Sequence, residues 1–240
     1  MKTPSMLLLG ATALAVAGCD GSPALGSPEK AFATSGAPVV VELFQSQGCS
    51  SCPPANANVN AIAGRPDVLA LSFAVTYWDQ LGWKDTFGSP AWTTRQWEYA
   101  RRAGRNQVGT PEVIVNGTRD VTGIDGAQLA ATIRGAGSPK GGPSVAVRRG
   151  SVILGPGPRG PAATVWLVGY DTRTLEVPVR AGENGGKTLP HRNVVRSLVR
   201  IGTWSGGATE LRLPPRSPGL AGAILVQSGP GGRILSAARI

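Results

Sequence analysis

Histidine is the scarcest chemical group in this chain: 240 residues contain one, His191. Cysteine is nearly as rare, at three, and methionine occurs twice. A closed structural zinc site takes four Cys or His ligands, so here it would need carboxylates or a second chain. With no Met-rich or His-rich stretch, a copper site would have two thiolates and little else. Acidic residues are also few, 14 Asp and Glu against 24 Lys and Arg, for a formal net charge of +10. The arginines are scattered, with "RRAGR" (101–105) and "VRRG" (147–150) the only dense runs. No nucleic-acid motif accompanies them, so a soluble basic surface accounts for them and no nucleic-acid partner is expected. Past residue 18 no apolar run is long enough to span a bilayer. Gly (34) and Pro (20) are plentiful; they cut the chain into short elements and disfavour a helical bundle.

The chain opens "MKTPSMLLLGATALAVAGCDGSP". Lys2 gives a minimal basic start, and Met6 to Ala17 form an apolar stretch shorter than a bilayer span, as in a secretory signal. "VAGC" resembles the bacterial lipobox, which implies a signal peptide over 1–18, cleavage before Cys19 and lipid modification of Cys19. Asp20 then implies retention at the inner membrane. The expected location is exported and periplasmic, anchored to the membrane through Cys19. Plain secretion with cleavage after "AFA" (31–33) is the alternative, less favoured because that site lies far from the apolar stretch. Residues 19–37, rich in Gly, Ser and Pro, read as a flexible tether.

"VVVELFQS" is apolar on both faces, as in a strand buried in a parallel sheet. "PPANANVNAIAGR" follows, with Ala55, Val59, Ile62 and Ala63 on one helical face and Pro53 and Pro54 in the first turn. "DVLALSFAV" is a second buried strand, completing a βαβ unit. "SPAWTTRQWEYARRAG" reads as a helix capped by Ser89, started by Pro90 and ended by Gly104. "PEVIVNGTRDVTG" is a hairpin turning at Asn116–Gly117, and "IDGAQLAATIRGAG" is a helix with Asp125 and Gln128 at capping-box spacing. The order β-α-β-α-β-β-α is the core order of the thioredoxin fold, which predicts an α/β thioredoxin-like domain over 38–137. "GAGSPKGGP" breaks the pattern. Over 138–240, short runs with partial alternation predict an all-β part, as a sandwich-like C-terminal domain or a sheet docked on the first.

The chemistry lies in "QSQGCSSCPP" (45–54), between the first strand and the first helix. A structural disulfide between Cys49 and Cys52 would close a very small loop and constrain little chain entropy. At a helix N-terminus, by contrast, a thiolate gains from free N–H groups and the helix dipole. The motif therefore favours redox use. Cys49 is expected as the exposed nucleophile that forms a mixed disulfide with a protein or small-thiol partner, and Cys52, more buried, as the resolving thiol. The Ser-Ser between them leaves the direction of electron flow open. No cofactor and no bound metal are expected. A passive disulfide in a non-catalytic binding module, or a thiol-based metal carrier, remain the alternatives.

Two features belong to the redox reading through the likeness to thioredoxins. There, a cis-proline before the third strand faces the cysteine pair, a place taken here by Thr110–Pro111. A buried Asp on the first strand relays the proton of the resolving cysteine; Glu42 lies one residue further from the motif, and a salt-bridged or surface Glu is an equal alternative. The aromatic loop "TYWDQLGWKDTFG" offers Tyr77, Trp78 and Trp83 as walls of a substrate groove, with core packing the alternative. Trp92 and Trp97 read as core, and His191 as structural or on the surface.

"VELFQSQGCSSCPPAN", "YWDQLGWKDTFGSPAWTTRQ", "TPEVIVNG" and "GENGGKTLPHRNVVRSLVRIGTWSG" resemble the exported bacterial family catalogued as domain of unknown function 1223, from about Val39 to the C-terminus. The resemblance implies a thioredoxin-like fold with an added β-rich part and names no reaction. In this chain Ala74 and Thr76 replace a His and an Asp of the family's "HVDYWD", and Gly109 and Glu112 differ from its usual residues around Pro111. Any acid–base or metal role of the replaced pair would be missing.

Overall fold

A computed structural model describes Met1, residues 36–148 and residues 150–240. The expected signal peptide (1–18), Cys19 and nearly all of the tether (19–37) lie outside the described residues.

Strand β1 (Val39–Gln45) is buried along its whole length and pairs in parallel, from Val39↔Val68 to Gln45↔Ala74, with the equally buried β2 (Val68–Ala74). Between them runs α1 (Cys52–Ile62), with prolines in its first turn. Helix α2 (Pro90–Arg102) begins where the Ser89 side chain accepts a hydrogen bond from Ala91 N, and the chain leaves it through Gly104 at φ +70°. Strands β3 (Glu112–Val115) and β4 (Arg119–Val121) pair antiparallel across Asn116 and Gly117, both at positive φ. Asp125 caps α3 (Gly126–Ala136) by accepting from Ala127 N and Gln128 N.

The remaining strands are β5 (Val145–Arg148), β6 (Ser151–Leu154), β7 (Ala163–Asp171), β8 (Leu175–Pro178), β9 (Thr188–His191), β10 (Val194–Trp204), β11 (Thr209–Arg212), β12 (Ala221–Gln227) and β13 (Ile234–Arg239). One eight-stranded sheet takes strands from both halves of the chain, in the order β13-β12-β7-β10-β2-β1-β3-β4. The join is β10 alongside β2, parallel at Val194↔Ser72, with Ser72 N donating to Asn193 O. The expected boundary at 137/138 is therefore crossed by the central sheet. The C-terminal strands extend that sheet instead of closing a separate sandwich, because β10 satisfies the backbone groups that β2 would otherwise leave open. A second layer does exist: the β11-β6-β5 sheet lays Val152 and Leu154 on Val165, Leu167, Ile224 and Val226 of β7 and β12.

The two faces of the large sheet are covered differently. Val41 and Leu43 of β1 face α1 and α3, packing with Ala55, Val59, Leu129 and Ile133. Val40 and Phe44 face the other way, towards Trp92 and Tyr99 of α2. Glu42 shares the α2 face through the period-2 alternation of the strand.

Candidate functional site

The segment from Gln45 to Cys52 leaves a buried strand and must enter a helix within a few residues. It does so through a turn in which Cys49 N donates to Ser46 O (3.1 Å) and Cys52 N to Cys49 O (3.2 Å). The turn passes beside Trp78: a Cβ at Gly48 would stand 3.4 Å from Trp78 Cβ, an ordinary contact. Cys49 and Cys52 are joined as a disulfide, with Cα atoms 5.4 Å apart. Cys52 opens α1, and Ser51 before it makes no side-chain cap.

One expectation is corrected. Cys49 is 0% exposed and Cys52 2%, so the first cysteine is no more open than the second; only Ser50 and Ser51 face solvent. The turn between β8 and β9 ties down the backbone of the motif. Asn184, itself buried, donates from Nδ2 to Gln47 O (3.0 Å) and Cys49 O (2.8 Å), and Lys187 Nζ donates to its Oδ1 (3.0 Å), which fixes the amide. Glu183 Oε2 accepts from Ser50 N at 3.0 Å, and hydrogen bonding with the Ser50 side chain, then with this N–H, holds its carboxyl below the usual range. This polar seal, built by a segment 135 residues away, carries no local sequence signal.

Thr110–Pro111 is a cis peptide and lies against the motif. Thr110 O is 3.6 Å from Cys49 Sγ and accepts from Ser51 Oγ at 3.4 Å. The aromatic loop braces the same place. Trp78 Nε1 donates to Thr110 Oγ1 (2.8 Å), and Trp83 Nε1 donates to Gln47 Oε1 (2.9 Å). Both rings are half-buried, so their N–H groups hold the motif while part of each ring stays open. Tyr77 donates to Gln96 Oε1 (3.2 Å), and burial pushes its hydroxyl up to about 12. Trp92 is core, as expected; Trp97 is half-buried beneath the Arg101 guanidinium.

Asp85, in the same loop, accepts from Gln47 N (2.7 Å) and Phe87 N (2.8 Å) while buried. Burial raises its carboxyl to about 6. Its burial against the Gln47 backbone carries no local signal in the sequence. Thr76 bonds through its N–H and hydroxyl to Thr93 Oγ1, so this departure from the family pattern has a packing role.

Glu42 is placed on the face of β1 away from α1. Its carboxylate accepts from Arg95 Nε (2.8 Å) and from the Tyr99 hydroxyl, with Arg95 3% exposed and Glu42 0%. Arg95 also donates to Gln227 Oε1 on β12 (3.1 Å). The salt-bridged alternative is thus the one the structure has. His191 is also buried, and neither ring nitrogen has a partner among the described residues. Phe87 meets it edge-on with centroids 5.5 Å apart, and burial pulls its imidazole down to about 4. Among the described residues no three His, Cys, Asp or Glu side chains converge as a metal site, and no helix is long and apolar enough to cross a membrane.

Comparison with known proteins adds three findings. The model of a family described as a protein of unknown function, DUF1223, matches residues 40–227. The crystal structure of protein AGR_C_4864 from Agrobacterium tumefaciens is 31% identical, covering 84% of this chain and 93% of that one, with a TM-score of 0.68. HBP35 of Porphyromonas gingivalis is 11% identical over 85% of this chain and 75% of its own, with a TM-score of 0.56, and shares the fold alone. No curated protein matches the sequence.

Proposed function

This chain belongs to the DUF1223 family, and on that premise we propose that it is an exported thiol–disulfide oxidoreductase of thioredoxin-like architecture, lipid-anchored through Cys19. The observation that carries the reading is the Cys49–Cys52 disulfide at the N-terminus of α1, directly after a buried strand and against Thr110–Pro111. The strand order β4-β3-β1-β2, with β1 parallel to β2 and antiparallel to β3, supports the architecture.

In the oxidised protein a partner thiolate attacks Cys49 Sγ, the Cys49–Cys52 bond breaks, and Cys52 leaves as a thiolate that takes up a proton. A second partner thiolate then attacks the partner's sulfur in the mixed disulfide and displaces Cys49. The partner is oxidised by two electrons and the pair becomes a dithiol. The reverse sequence reduces a partner disulfide. In that dithiol the Cys49 thiolate lies where the first N–H groups of α1 favour negative charge. Thr110, Pro111, Trp78 and Trp83 flank the point of attack, and Tyr77 supports Gln96 behind it.

A second reading has its own support. Full burial of Cys49, with its carbonyl held by Asn184, suits a passive disulfide in a binding module. Trapping with Cys52→Ser separates the two. Stable mixed disulfides through Cys49 support the oxidoreductase. Absence of adducts, with a wild-type disulfide that resists small thiols until the protein unfolds, supports the passive staple. Stoichiometric metal on the reduced protein would replace both with a thiolate carrier.

A further inference from the structure

The chain carries a formal net charge of +10, and a positive protein draws anionic partners ahead of cationic ones. Beside the disulfide the pattern is different. The turn between β8 and β9 holds three charged residues, Arg180, Glu183 and Lys187, and of these Glu183 alone bonds to the cysteine motif among the described residues. Its Oε2 accepts from Ser50 N at 3.0 Å, and both residues are exposed. Lys187 is turned onto Asn184 Oδ1 (3.0 Å), and Glu183 makes no ion pair among the described residues. Hydrogen bonding with Ser50, side chain first and N–H second, holds the Glu183 carboxyl below its usual range, so it is ionised at neutral pH.

The position of this charge is fixed by covalent geometry. Ser50 N is four bonds from Cys49 Sγ, so the oxygen it holds lies within about 8 Å of that sulfur. Free N–H groups ahead of a helix would otherwise favour an incoming anion; here one of them already faces a fixed negative charge.

The opposite flank has the same sign. Beyond Thr110 and Pro111, which lie against Cys49, a hollow of about 540 Å³ is lined by Glu112, Asp120 and Arg105. Arg105 stands 2.6 Å from Glu112 and 3.9 Å from Asp120, so two carboxylates share one guanidinium. The aromatic loop adds Asp79 and the buried Asp85 against Lys84. A thiol or disulfide approaching Cys49 therefore meets local negative charge on a protein that is basic as a whole.

We infer that Glu183 is a specificity-determining residue of the thiol site: its carboxylate selects cationic thiols and disulfides, such as a cysteine flanked by Lys or Arg, over anionic ones. This role rests on the thiol–disulfide reading, and it gives the β-rich half of the chain a part in choosing the partner.

The test reduces the oxidised full-length protein with three small thiols: cationic cysteamine, neutral 2-mercaptoethanol and anionic 3-mercaptopropionate. One thiolate attacks Cys49 Sγ and Cys52 leaves; a second thiolate then displaces Cys49, giving the dithiol protein and one small disulfide. Loss of the protein disulfide is followed by acid quench, alkylation and mass. Intrinsic differences between the thiols cancel when one protein is compared with another. Glu183→Gln keeps an acceptor for Ser50 N and removes the charge. Its cysteamine rate falls and its 3-mercaptopropionate rate rises, so the ratio of the two drops about fivefold, as for unit charges about 8 Å apart in water acting in opposite senses on the two thiols. About 1 M KCl removes most of that difference. Asn184→Ala, which loosens the same turn and keeps the charge, moves all three rates together. Melting temperatures establish that each variant is folded. An unchanged ratio in Glu183→Gln, or a common factor on all three thiols, overturns the role and leaves the redox reading standing. A native disulfide that none of the three thiols opens removes the redox reading and this role with it.

Discussion

His191 and Asp85 pull the acid stability of this protein in opposite directions, and separating them is a demanding test of the site geometry. Burial takes the imidazole from 6.5 to about 4 and the carboxyl from 3.8 to about 6. The unfolded chain binds the His191 proton first, so the stabilising contribution of the neutral ring is complete above 6.5 and is lost as pH falls towards 4. Asp85 behaves inversely. The folded state holds its proton up to about 6 while the unfolded chain has released it, so stability falls as pH rises through that window. Integrated from about pH 7 to about pH 5, His191 costs about 2 kcal/mol and Asp85 returns about 1 kcal/mol. In the wild type Asp85 offsets about half of the His191 loss, so the wild-type pH profile alone does not separate the two. In His191→Phe the acid loss is removed, so stability relative to wild type rises on acidification by about 2 kcal/mol. In Asp85→Asn the compensation is removed, and relative stability falls by about 1 kcal/mol over the same range. The assay is the urea midpoint at each pH, with the slope of the transition checked for constancy. Because His191 is the only histidine, its ring proton resonance reports directly and should not titrate above about pH 5. Variants that diverge from wild type in the same direction, or a ring that titrates near 6.5, would refute the burial assigned to these groups.

The other expectations follow from single contacts. Glu42→Leu leaves the Arg95 guanidinium buried without its counter-ion and should cost about 3–5 kcal/mol in chemical denaturation; Glu42→Leu with Arg95→Met should cost less than the single change. Thiol exchange against pH should keep its shape in Glu42→Gln, since that carboxylate faces α2 and not the cysteines. Asn184→Ala removes two buried hydrogen bonds, each worth about 1 kcal/mol, and should speed reduction of the disulfide by a small thiol; an unchanged rate would mean that the turn does not limit access.

What could be read from the chain was what local chemistry dictates. The Val-rich runs announced strands buried on both faces, Ser89 and Asp125 marked helix starts, and Asn116–Gly117 marked a hairpin, so β1 to α3 emerged in order. Partners were not legible. The alternation that buried Glu42 carries no information about Arg95, which comes from a helix 53 residues on. The bond that holds the Cys49 carbonyl comes from Asn184, in a Gly-rich turn that reads as a loop. The join between the halves rests on a short parallel contact of β10 with β2, and periodicity reports that Val194 is buried without saying against what. His191 was expected to be structural or exposed; its place beside Phe87 follows from the packing of β9 over α1, where Asn56 and Asn60 both donate to Pro190 O.

The turn that seals the cysteines also gives their chemistry a history. Synthesis runs from the N-terminus, so Cys49 emerges 135 residues before Asn184 arrives to bond to its carbonyl. During that interval the turn is not there to hold the motif, and an oxidant meets the pair as an open dithiol. The bond can thus be made early by encounter and afterwards protected by the finished fold. Forming the bond and breaking it are separate events, the first governed by the pace of chain emergence and the second by the hold of one small turn.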